Sequence, residues 1–167
     1  MKLSKNLTFW FGLLLILITI YLSLATYFRW LDIRFRIGPY FLTHWLSWAG
    51  SLFIAFFTPI YYALKRRIPK LLPQLIMIHM FGNLFSSMFI SMHFFQQISR
   101  PSQFYPDLGT GVALFAVILI LVTSGFLHKF HILKSMVPHQ NRFIHISITT
   151  AFYIVIIIHI LQGIGIF

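Results

Sequence analysis

Two pairs of histidines share one spacing. His79 and His93 lie in one apolar stretch, His145 and His159 in another, and the members of each pair are 14 residues apart. At 3.6 residues per turn this is just under four turns, so both members of a pair fall on the same face of a helix. Along the axis they stand about 21 Å apart, near the two edges of a hydrocarbon core about 30 Å thick. Two such helices running in the same direction set one imidazole opposite another at two levels. Opposed imidazoles are an axial ligand set for haem iron, so the spacing predicts two b-type haems, one ligated by His79 with His145 and one by His93 with His159. Iron held this way is coordinatively saturated, which suits electron transfer rather than substrate binding at the metal. The competing reading is four core imidazoles without a cofactor. Against it, ionisable side chains inside a bilayer are costly and usually functional.

A ring between helices needs faces that it can approach. From His79 the same face carries Gly82, Asn83 and Ser86 before His93, small or polar residues in a span rich in Phe, Ile and Met. From His145 the matching face carries Thr149, Phe152 and Ile156 before His159. Phe152 falls midway between the two ligands, where it either bridges the two ring systems or fills space. Haem propionates need cationic partners near the interfaces. Arg142 and Lys129 are placed for one haem and Arg100 for the other, although each also suits an orientation signal or an interfacial anchor. His128 is the substitute ligand if one pairing fails. With His131 it makes at most a two-ligand surface metal site, a weak signal. His139 and His44 read as solvated or interfacial.

The elements that must position these residues are long apolar helices. Of the 167 residues, 59% are hydrophobic and 19% aromatic, and the mean hydropathy is +0.85. Only 9% are charged, where a soluble domain has about a quarter. Five stretches contain no Lys, Arg, Asp or Glu: 7–28, 40–64, 73–98, 108–127 and 143–167. Each has the length of a spanning helix. The chain is therefore expected to be an all-α membrane protein, one five-helix transmembrane bundle over 1–167. The first apolar run is too long for a signal-peptide core and is not followed by a small-residue cleavage site, so it reads as a retained helix. Gly38-Pro39, Pro69, Pro73, Pro101, Pro106 and Pro138 punctuate the boundaries, and Pro59 falls inside the second span.

Charge gives the expected orientation. One side carries Lys2, Lys5, Lys65, Arg66, Arg67, Lys70, Lys129, Lys134 and Arg142 and no acid. The other carries Arg29, Arg34, Arg36 and Arg100 with Asp32 and Asp107. Nine basic residues against four place the N-terminus in the cytoplasm and the C-terminus outside, with the plasma membrane as the expected location. The third and fifth spans then run in parallel, His79 and His145 near the inner face and His93 and His159 near the outer. The net charge of +11 does not indicate nucleic acid, because the basic residues sit in short loops between apolar runs, where an anionic membrane surface attracts them.

The sequence also excludes chemistry. With no cysteine there is no disulfide, no thiolate-bound cluster and no thioether-linked haem. No Asp or Glu lies within a span, so there is no carboxylate proton relay. No glycine-rich nucleotide motif appears, so the chain is not expected to take hydride from NAD(P)H by itself.

The stretch His79-Met80-Phe81-Gly82 through His93, followed by His145 through His159, resembles the ferric-reductase-like transmembrane domain. That family includes NADPH oxidases, ferric reductases and the haem-bearing membrane subunit of bacterial methionine-sulfoxide reductase systems. The resemblance implies haem ligands on the third and fifth helices, inner and outer. Equal spacing on two parallel helices is also similar to the cytochrome b subunit of quinol-oxidising complexes. Three functions are therefore carried forward. The first is a dihaem redox subunit between a cytoplasmic flavoprotein or membrane quinol and an external acceptor or extramembrane redox subunit. The second is a quinol-oxidising or quinone-reducing anchor subunit. The third is a haem-free small transporter or assembly factor.

Overall fold

The structure is a computed structural model that describes residues 5–33, 35–101, 109–130, 132, 138–163 and 165–166. It is nearly all helical: α1 Lys5–Tyr27, α2 Leu42–Arg67, α3 Leu72–Ile98, α4 Gly109–Phe130 and α5 Pro138–Gly163. All five helices are long and apolar enough to cross a membrane. The chain divides into two compact units, Met1–Phe104 and Tyr105–Phe167. Lys2, Arg34, Asp107, His131 and Lys134, used above for charge or ligands, lie outside the described residues, as do the side chain of His139 and the outermost residues of the fourth and fifth apolar stretches, Leu108 and Phe167.

In the first unit α3 packs against both α1 and α2. Phe11 meets Phe81 and Tyr27 meets Phe95, so α1 and α3 run parallel. Tyr61 meets His79 and His44 meets His93, so α2 runs against them. The helix surfaces reverse the pattern of a water-soluble protein. Leu14, Leu17, Ile20, Leu52, Phe56 and Ile60 are exposed, whereas Ser23, Thr43, Ser47, Ser86, Ser87 and Ser91 are buried. Small residues allow close helix approach where no hydrophobic force separates protein from lipid. Gly50 shows this directly: a Cβ there would stand 3.0 Å from the Cα and the carbonyl oxygen of Ser86. The hydroxyls return to their own helices, as Thr19 does to the Leu15 carbonyl at 2.8 Å and Ser87 to that of Leu84 at 2.8 Å.

The helix ends differ from the charge-free boundaries. α2 continues through Lys65, Arg66 and Arg67, α4 through His128 and Lys129, and α5 begins at Pro138, so Arg142 lies within it. Absence of charge marks the apolar core of a span, whereas a helix continues into water for as long as its backbone bonds are made. Three cations in the last turn of α2 also complement its dipole. Pro138 has the fixed φ of a first helical residue and needs no donor there. A short antiparallel hairpin, Arg36–Ile37 with Tyr40–Phe41, precedes α2. Gly38 takes φ +63° at its tip, the position where a two-residue loop demands glycine.

In the second unit α4 and α5 pack side by side. Ser124 meets His145 near the end of α4, and Thr110 meets His159 near its start, so the helices are antiparallel. α5 ends in a left-handed turn at Gly165, φ +76°, with the Gly165 and Ile166 amides donating to the Gln162 and Leu161 carbonyls at 3.0 Å each.

Candidate functional site: two histidine pairs and their partners

His79 and His93 belong to the first unit, His145 and His159 to the second, and all four are partly buried. In the first unit their neighbours come from α2 and from α3 itself. The His79 ring stacks on Tyr61 with centroids 4.7 Å apart and planes at 14°. The Asn83 amide nitrogen, one turn along α3, lies 3.4 Å from each His79 ring nitrogen. His93 meets the edge of His44 at 4.4 Å, and Gln97 reaches His44 Nε2 at 3.3 Å. One position earlier on both helices, the Thr43 hydroxyl donates to Gln96 Oε1. His44, expected at an aqueous edge, is thus half enclosed and in contact with a candidate ligand. An antiparallel neighbour brings the start of α2 level with the end of α3, a pairing that residue type does not encode.

Gly82 and Ser86 face α2 within the first unit. They are the residues expected to let a ring approach α3; Gly82 lies under the Phe53 ring, and Ser86 lies against Gly50. Small residues permit close approach by anything, and here the helix of the same unit uses them. Asn83 Oδ1 and His44 Nδ1 are buried without a hydrogen-bond partner among the described residues.

The second unit treats its two histidines alike. Ser124 Oγ is 3.0 Å from His145 Nδ1, and Thr110 Oγ1 is 3.1 Å from His159 Nδ1. Each hydroxyl has one proton and a second acceptor in reach. Ser124 donates to the Leu121 carbonyl at 3.1 Å, and Thr110 donates to Gln162 Oε1 at 2.6 Å. With the proton on those acceptors, each hydroxyl accepts from the imidazole, an arrangement that puts the ring proton on Nδ1 and the lone pair on Nε2. A glycine follows each hydroxyl residue: Gly125 faces His145 Cε1 at 3.3 Å and Gly111 faces His159 Cε1 at 3.6 Å, measured from an added Cβ. Thr110-Gly111 and Ser124-Gly125 are themselves 14 residues apart. In antiparallel helices, 14 residues forward on α4 match 14 back on α5, so one hydroxyl–glycine pair serves each histidine.

This second 14-residue repeat is the signal that the reading of the sequence missed. It is carried by common residue types and becomes visible only once helix four is laid against helix five. Of the other expected residues, Phe152 is fully buried, Arg142 and Lys129 are exposed, and His128 is exposed in the last turn of α4. Arg100 is partly buried, with its guanidinium 5.4 Å from the Phe41 ring centroid.

The donor chemistry of the second unit fits a haem iron ligand set. Metal-bound histidine generally donates its other ring N–H to a fixed acceptor, which sets tautomer and orientation. Comparison with protein families, with curated proteins and with solved structures returns no match to this chain.

Proposed function

We propose that the chain is a dihaem membrane cytochrome b, a transmembrane electron conduit of the ferric-reductase-like kind. In this reading His79 and His145 hold the inner haem b and His93 and His159 the outer one, with the N-terminus in the cytoplasm of a plasma-membrane protein. The observation that carries it is the shared state of His145 and His159. Two imidazoles at haem-ligand spacing each have Nδ1 within hydrogen-bond distance of a hydroxyl, the setting in which Nδ1–H is donated and Nε2 keeps its lone pair.

Haem b, when bound, supplies a one-electron iron couple. The work of the chain is to hold it. Ser124 and Thr110 fix the imidazole tautomers, and Gly125 and Gly111 leave room beside the rings. Arg142 and Lys129 near the inner surface supply cations for propionates. A flavoprotein or quinol donor and an external acceptor or extramembrane redox subunit complete the path.

One observation favours the haem-free reading. His79 and His93 already face Tyr61 and His44 within their own unit, as core imidazoles do. A reduced-minus-oxidised absorption spectrum of the purified chain, with its haem-to-protein ratio, decides between the two. Two haems of bis-imidazole character support the conduit. A ratio near zero in folded protein sinks it.

A further inference from the structure

Guanidinium groups gather at one end of the first unit, where α1 and α3 finish and α2 begins. A cavity of about 90 Å³ opens there, lined by Thr26, Arg29, Phe41, Gln96, Ser99 and Arg100 among others, with no acid among the described lining residues. Arg36 and Arg100 share the Phe41 ring, their guanidiniums 5.0 and 5.4 Å from its centroid. Burial, and then the charge of Arg36, hold the Arg100 guanidinium below its ordinary value, so two like charges stand close together. Asp32, near in sequence, is exposed and does not line the cavity.

Arg29 adds a second, independent feature. It closes α1 in the left-handed region at φ +61°, and the Trp30 amide returns to the Ala25 carbonyl at 2.8 Å. Glycine usually holds that position, and a side chain there costs roughly 1 kcal/mol. Among the described residues no other non-glycine residue has positive φ. The strained residue is a cation, and its Nη2 donates to the Ser99 carbonyl at 2.7 Å, which ties it to the end of α3. Other polar groups of the cavity have their acceptors already supplied. The Thr26 hydroxyl donates to Leu22 at 2.7 Å, the Ser99 hydroxyl donates to the Gln96 carbonyl at 2.9 Å, and Gln96 Oε1 accepts from Thr43. What remains for a guest is the guanidinium N–H groups, which match an oxyanion in charge and in hydrogen bonding.

The surroundings point to the source of that oxyanion. Trp30 and Phe35, in the chain between Arg29 and Arg36, are 71% and 67% exposed, and Tyr40, Trp45 and Trp48 cluster at the start of α2. Such aromatic residues belong at headgroup depth. Directly along α1 lie the exposed apolar side chains of Leu17, Ile20 and Leu24, a surface for acyl chains.

We propose that this recess binds the phosphate group of a phospholipid between Arg29 and Arg100, with the charge of Arg36 beside it at the Phe41 ring. The proposal rests on the helices spanning a bilayer and not on haem. It is tested on the delipidated full chain, haem-loaded and haem-free, by native mass spectrometry. The probes are dimyristoylphosphatidylglycerol, dimyristoylglycerol, which has the same tails and no phosphate, and inorganic phosphate. One phosphatidylglycerol should be retained selectively by both forms, and Arg29→Gly with Arg36→Gln should weaken it about tenfold or more. The glycine also relieves the strained φ, so the helix end is kept.

A companion measurement needs no variant. Phosphatidylglycerol, but not dimyristoylglycerol, should protect Arg29 and Arg100 of the natural chain from modification by phenylglyoxal. Equal binding of the two lipids, or unchanged modification rates, overturns the proposal. Displacement by an equal concentration of inorganic phosphate also overturns it, by assigning the recess to a free oxyanion. Absence of haem with lipid binding intact would remove the conduit reading and leave this one standing.

Discussion

Thr110 Oγ1 lies 2.6 Å from Gln162 Oε1 and 3.1 Å from Nδ1 of His159, so a proton given to Gln162 leaves the hydroxyl to accept from the imidazole. Ser124 stands in the same relation to His145 at the other end of the helix pair. Removing a fixed acceptor of this kind typically costs 10–100-fold in metal affinity. Thr110→Val and Ser124→Ala should each loosen one haem about tenfold or more and shift its midpoint potential, while Thr110→Ser should restore both. Haem titration of the apo-protein and redox potentiometry read the effect. Variants that bind and titrate like the natural chain would leave the hydroxyls as packing residues.

Ligand loss should be pairwise. His79→Ala and His145→Ala should abolish one haem signal, and His93→Ala and His159→Ala the other, each measured by haem-to-protein ratio and low-temperature spectra. If His79→Ala and His159→Ala removed the same haem, the proposed ligand pairing would be wrong.

Gly125 and Gly111 should answer differently to the same methyl group. At Gly125 the added carbon would stand 3.3 Å from His145 Cε1, so the ring must give; at Gly111 the distance is an ordinary 3.6 Å. Gly125→Ala should displace the imidazole and destabilise by about 1–3 kcal/mol. Gly111→Ala should be close to neutral. Thermal unfolding in detergent, with the haem spectrum as a second readout, separates them. Equal behaviour of the two variants counts against the close approach at Gly125.

Gly50→Ala tests the first unit without touching a histidine. Its Cβ would meet the backbone of Ser86 at 3.0 Å, and backbone cannot swing aside. A loss of about 1–3 kcal/mol is expected, against almost none for Gly163→Ala, where nothing lies within 4 Å. The difference in unfolding temperature between these variants is the measurement.

The basic end of α2 gives a kinetic prediction. Lys65 and Arg66 lie over the Tyr62 ring at 4.9 and 4.4 Å, while Arg67 and Lys70 are exposed. An acidic donor would be steered toward such a cluster. Neutralising the four residues should slow haem reduction by the native donor and flatten its salt dependence, with orientation and haem content unchanged. An unaltered rate and salt dependence would reduce the cluster to an orientation signal.

Five apolar stretches free of charge were enough to establish five long helices, because a bilayer-length run of apolar residues has few other ways to satisfy its backbone. The 14-residue histidine spacing was equally legible, since helical periodicity alone puts both members on one face. The helix ends were not, because Lys65, Arg66 and Arg67 extend α2 as readily as they would fill a loop. Nor did the sequence say what each face would meet. Gly82 suits a porphyrin or a phenylalanine equally, and tertiary structure placed Phe53 there. His44 looked peripheral until antiparallel pairing set it against His93. Thr110 and Ser124 passed unremarked because a hydroxyl has no fixed role until its one proton is assigned. That assignment depends on Gln162, Leu121 and two histidines brought within hydrogen-bond reach, and only the folded helix pair does so.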